Sequence, residues 1–139
     1  MIAALTLLIV LNTTPANEAD ILLGIWYNGE KDAKIEIYHC GDRYCGKVTW
    51  LKEPMKNDAP KVDDHNPDES LQKRGLIGLN ILTDFVYAGD KTWEDGEIYN
   101  PRDGKTYSCY LALQEDGSLK VRGFIGFSLI GKTQYWTRP

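Results

Sequence analysis

A chain of 139 residues is long enough for one domain with a real core, and 16 basic against 20 acidic residues leave a net charge of −4. That balance offers no basic face to nucleic acid and gives no electrostatic case for binding it. Eight tyrosines and four tryptophans suit strands and cavity walls and argue against disorder.

Residues 1–11 are apolar but for one threonine. That run is too short for a membrane-spanning helix, which needs about 20 residues. It fits the apolar region of an export signal, with Pro15 and small residues behind it, although no lysine or arginine precedes it. Ala16 and Ala19 are the candidate cleavage positions. Residues 1–19 are therefore expected to be a signal peptide, residues 20–139 the mature domain, and the location periplasmic or secreted.

Gly24-Ile-Trp26-Tyr27 opens the mature domain with a backbone that can bend beside a large ring, which suits the plug at one end of a barrel. From Ala33 to Cys40 the chain alternates: Ala33, Ile35, Ile37 and His39 on one face, Lys34, Glu36 and Tyr38 on the other. A period of two is the mark of a strand. Cys40-Gly-Asp-Arg-Tyr-Cys45 reads as a hairpin tip that sets the two cysteines within disulfide reach. Closing so short a ring stabilises by roughly 2 kcal/mol in the chain-entropy view. Cys109 is then left as a buried free thiol; the spacing fits a zinc site from His39 and the cysteines less well, so no metal is expected. Gly46 to Lys52 supplies the partner strand.

The connection from Glu53 to Gly75 is long for a small domain, and so either functional or locally structured. Asn66 as N-cap, Pro67, Glu69 and Gly75 predict one short helix of two turns within it. Asp64, Asn66 and Asp68 have the opening spacing of a calcium loop, but Glu69 and Gly75 break that pattern. Strands are predicted over Leu76 to Leu82, Asp84 to Ala88, Glu97 to Tyr99 and Lys105 to Leu113, with turns at Gly89-Asp90, Asn100 to Gly104 and Asp116-Gly117.

The chain closes on a hairpin. Leu119, Val121 and Ile125 share one parity; Lys120, Arg122 and Phe124 take the other; Gln134, Trp136 and Arg138 fall together further on. Residues 126–133 match the phosphate-loop pattern Gly-x4-Gly-Lys-Ser/Thr. That chemistry needs a helix after the loop, and β-formers follow here, so no nucleotide is expected. Many short strands with glycine and Asp-Gly turns predict a single antiparallel β-barrel of about eight strands, since closure removes exposed edges.

The segments G-I-W-Y, I-E-I-Y-H-C-G-D-R-Y-C-G-K-V-T-W-L, N-P-D-E-S-L-Q-K-R-G-L-I-G-L, W-E-D-G-E-I-Y-N-P-R-D-G-K-T-Y-S-C, L-K-V-R-G-F-I-G and W-T-R occur in that order. Through them nearly all of the mature chain resembles the bacterial secreted family known as domain of unknown function 2147. Asn100 departs from it, where the family usually has aspartate before the proline. The resemblance implies a lipocalin-like (calycin-like) barrel and no established activity. By position it makes Gly24 and Trp26 the structural plug, with Arg122 or Arg138 packed on the ring.

The expected function is non-catalytic: an exported small barrel binding a small apolar or amphipathic molecule, with His39, Tyr107, Arg122, Phe124 and Trp136 as wall candidates and no cofactor. The alternatives are an envelope interaction module whose 53–75 loop meets a protein partner, and a hydrolytic enzyme. The last finds no triad order, zinc helix motif or nucleophile elbow in the sequence, and only His39 and His65 as histidines.

Overall fold

The computed structural model describes residues 4, 6, 17–127 and 129–139. Apart from residues 4, 6 and 17–19, the expected signal peptide lies outside the described residues. A short 3-10 helix, Glu18–Leu22, precedes the sheet. The strands are β1 (Gly24–Tyr27), β2 (Ala33–Cys40), β3 (Arg43–Leu51), β4 (Met55–Lys56), β5 (Ala59–Pro60), β6 (Asn80–Gly89), β7 (Thr92–Asn100), β8 (Lys105–Leu113), β9 (Leu119–Phe124) and β10 (Gly131–Trp136).

Eight of them form one antiparallel sheet in the order β1-β2-β3-β6-β7-β8-β9-β10, and β4 and β5 make a separate small hairpin. The large sheet curls until its two ends meet. Tyr27 and Thr137 exchange backbone hydrogen bonds at 2.7 and 3.1 Å, joining the end of β1 to the residue after β10. The expected mainly-β barrel is the fold observed. A meander of this kind leaves each strand next to its neighbour in sequence, and closure removes the edges that would otherwise template aggregation.

Alternation decides which side chains fill the interior. On β2, Ala33, Ile35 and Ile37 are buried while Lys34, Glu36 and Tyr38 are not. Trp26, Trp93, Trp136 and Phe85 are the largest fully buried side chains. Buried indoles need an acceptor, and each finds one. Trp26 Nε1 donates to the Leu22 carbonyl at 2.8 Å, Trp93 Nε1 to the Ala19 carbonyl at 3.1 Å, and Trp136 Nε1 to Gln134 Oε1 at 2.7 Å. The first two bonds seat the 3-10 helix as a stopper across one end of the barrel.

At the plug, Arg138 is the arginine that meets Trp26. Its guanidinium lies 3.9 Å from the Trp26 ring centroid and donates to the carbonyls of Ile25 at 3.1 Å and Ile21 at 2.9 Å. Gly24 stands below it with φ +106, a conformation that a Cβ disfavours, and a Cβ there would lie 3.2 Å from Arg138 Nη1. Arg122 instead points out from β9 and donates to Thr133 Oγ1 at 2.8 Å. Cys40 and Cys45 form a disulfide across the β2–β3 turn, which takes both sulfurs away from any metal site, and Cys109 is a buried free thiol.

Two local expectations change. The two-turn helix is a single 3-10 turn, Glu69–Leu71, capped by Asp68, whose side chain accepts the Ser70 N–H. Asn66, the expected cap, does accept the Asp68 N–H on Oδ1 at 2.8 Å, while its Nδ2 donates to Asp63 and Tyr99; it is 6% exposed, and the helix stops after one turn. The strand expected from Leu76 starts only at Asn80, and the two segments expected around Thr83 are one strand. Asp84 takes φ 60 within it, a kink that ordinary alternation does not announce.

Candidate functional site: a cavity at the open end

Opposite the stopper lies a half-open cavity of about 1370 Å3. Its wall is apolar and comes from alternate positions of successive strands: Ile35 of β2, Val48 of β3, Ile81 of β6, Ile98 of β7, Val121 of β9 and Trp136 of β10. The mouth is charged. Glu30, Asp32, Asp64, His65, Arg102 and Lys132 line it. A greasy chamber with a few convergent polar groups at one end is the usual make-up of a small-molecule site.

The polar groups of the mouth are organised by three connections. On the β1–β2 loop, Asn28 donates from Nδ2 to Asp32 at 2.5 Å and accepts the backbone N–H groups of Asp32 and Ala33. Arg102, on the β7–β8 turn, reaches across to that loop, donating to both Glu30 oxygens at 3.1 and 3.0 Å and to Asp32 at 2.7 Å. Burial alone would raise the Asp32 carboxyl; the Asn28 hydrogen bond and the Arg102 charge outweigh it and hold the group below its ordinary value. Tyr107 donates its hydroxyl to Asp103 on the same turn.

The 53–75 connection folds over the mouth and is fastened by one buried carboxylate. Asp63 is fully buried. Its Oδ1 accepts the Tyr99 hydroxyl at 2.5 Å, and its Oδ2 accepts Asn66 Nδ2 and Arg74 Nε, each at 2.9 Å. Burial pushes this carboxyl up, but the three donors prevail and its pKa is lowered. The Arg74 guanidinium also lies over the Tyr99 ring, 5.8 Å from its centroid. Next to this lock, Gly104 has φ +70, and a Cβ on it would run into the His65 carbonyl, so the β7–β8 turn fits against the connection only as glycine.

Of the expected wall residues, Tyr107, Phe124 and Trp136 border the cavity. Trp136 is fully buried, while Phe124 sits at the margin with its ring 6.4 Å from that of Tyr110. His39 does not join them. β2 runs past the end of the core, and His39 meets Asp20 at 3.1 Å beside the Tyr44 ring at the opposite end. Arg122 is on the outer face of β9. Asp63, Tyr99, Arg74 and Arg102, which shape the mouth, were not singled out as site residues. Asp63 is separated from Tyr99 by 36 positions, and no local pattern marks that meeting.

No curated protein matches the chain. Among solved structures, a protein described as "Protein HP1028 from the human pathogen Helicobacter pylori belongs to the lipocalin family" is similar, with a TM-score of 0.75 and 26% identity over 85% of this chain and 82% of that one. Residues 24–138 match the family described as "Uncharacterized protein conserved in bacteria (DUF2147)". That match runs from the plug glycine of β1 to the arginine on the plug tryptophan, so the chain belongs to the DUF2147 family.

Proposed function

We propose that this protein is an exported carrier that holds one small amphipathic molecule, its apolar part against Ile98, Val121 and Trp136 and its polar end at the Arg102–Asp32 mouth. The observation that carries this reading is the cavity itself: about 1370 Å3, apolar in its wall and charged at its single rim. Barrels of about eight strands can hold one ligand or be filled by their own side chains; here Trp26, Trp93 and Phe85 fill the stopper half, and the cavity at the other end supports the ligand reading. The similarity to a protein described as a lipocalin supports the same reading. Native mass spectrometry of protein purified from its own host is expected to show a small organic molecule that Ile98→Trp, by filling the chamber, excludes. A bare protein mass, with Trp136 emission unmoved by added lysophospholipid, would overturn it. In the 53–75 connection Asp63 and Asn66 turn inward, while most of the other polar side chains stay exposed.

The disulfide supports export, since such bonds persist in oxidising compartments. Cleavage is expected after Ala16 rather than after Ala19. Ala19 is 5% exposed, its carbonyl holds the Trp93 indole, and Asn17 caps the stopper helix. Sequencing the amino terminus of the envelope-purified protein should read Asn17 first; a chain starting at Asp20 or at Met1 would refute this.

A further inference from the structure

The loop between β9 and β10 exposes four large apolar side chains on one hairpin tip: Ile125 at 66%, Phe127 at 74%, Leu129 at 91% and Ile130 at 65%. Four such side chains on one tip form an apolar patch of the kind that marks an interaction site. A stable protein interface takes about 800 Å2 from each partner. The tip is therefore too small and too pointed to make a dimer face by itself, yet too apolar to be a neutral loop.

Charge decides what it suits. The hairpin from Leu119 to Trp136 carries Lys120, Arg122 and Lys132 and no carboxylate, in a chain whose net charge is −4. Pairing along the hairpin puts these groups in layers. Lys132 lies opposite Gly123 and Thr133 opposite Arg122, next to the tip; Tyr135 lies opposite Lys120, two residues further down. Tyr135 is 51% exposed. An apolar tip, then Lys132 and Arg122, then Lys120 level with a half-exposed tyrosine, matches hydrocarbon followed by an anionic headgroup layer, where cations and tyrosine rings both sit.

We infer that the 125–130 tip docks the protein on a lipid bilayer bearing anionic headgroups, with the mouth of the barrel brought against the membrane. Ile125, Ile130 and Lys132 themselves border the cavity, so docking sets the opening against the lipid rather than away from it. The tip inserts its side chains between acyl chains, and Lys120, Arg122 and Lys132 meet phosphates. This goes beyond the carrier reading and does not depend on the cavity being filled.

The test is flotation of the full chain, as its host processes it, with mixed phosphatidylcholine–phosphatidylglycerol vesicles. Wild type is expected to float with the vesicles, less so as salt is raised. The Phe127→Asp, Leu129→Asp double variant is expected to lose about tenfold or more of that partition while keeping its far-ultraviolet spectrum, since both side chains are exposed and hold up no core. Wild type that stays with the aqueous fraction overturns the inference, as does partition that the double variant leaves unchanged. A wild-type dimer that the double substitution splits, without flotation, assigns the tip to a second copy and overturns it too. Flotation reads the tip and native mass spectrometry reads the cavity, so either proposal can fail alone.

Discussion

Asp63 shows how one residue can hold a site in shape without touching its contents. A buried carboxylate is costly unless donors surround it, and here Tyr99, Asn66 and Arg74 supply them. Removing the acceptor strands three donors, one of them charged. Asp63→Ala is therefore expected to destabilise by about 3 kcal/mol, and Tyr99→Phe, which removes one donor and leaves two, by about 1 kcal/mol. Urea denaturation followed by tryptophan emission measures both. Equal losses, or an Asp63→Ala protein as stable as wild type, would show that the 53–75 connection is held by something other than this carboxylate.

Among the elements, legibility follows the range of the forces that make them. β2, β8 and the β9–β10 hairpin were readable because alternation is written within six to nine residues, and the Cys40–Cys45 bond because the turn between them is short. The same rule gives Trp136 the parity of Gln134 and Arg138 without telling which side faces in; the structure buries it. The rule failed for His39, whose parity continues the buried row although the strand has by then left the core. It also failed over the 53–75 connection. The capping pattern at Asn66 predicts two turns of helix; Asn66 does accept the Asp68 N–H, but its amide is also tied to Asp63 and to Tyr99, 33 positions away, and the chain makes one 3-10 turn. The stopper helix Glu18–Leu22 was hidden for another reason: its anchoring bonds from Trp26 and Trp93 are tertiary, while its sequence sits where a leader peptide was expected to end. The mouth was the least legible part, because Arg102, Asp32 and Asp63 come from three separate connections that only the closed barrel brings together.

For the whole molecule, the titrating groups set a window of stability. Asp32, Asp63 and Asp103 all titrate below the ordinary aspartate value of 3.8 in the folded protein. The folded state thus binds fewer protons than the unfolded chain in mild acid, and the stability these groups contribute is present above that ordinary value and lost as pH falls through the folded values. The alkaline side has the opposite sign. Burial pushes the Cys109 thiol up to about 12 from 9.0, and burial together with Asp63 raises Tyr99 above 10.0. Their contribution is complete below the unfolded values and disappears as pH rises through the folded ones. The urea midpoint should therefore stay level from about pH 5 to pH 9 and fall on both sides. Trp26, Trp93 and Trp136, all fully buried, make emission a direct readout. Asp63→Asn, which has no carboxylate to protonate, should start from a lower midpoint and lose less of it between pH 5 and pH 3. An acid limb as steep in that variant as in wild type would mean that the buried carboxylate does not govern acid unfolding.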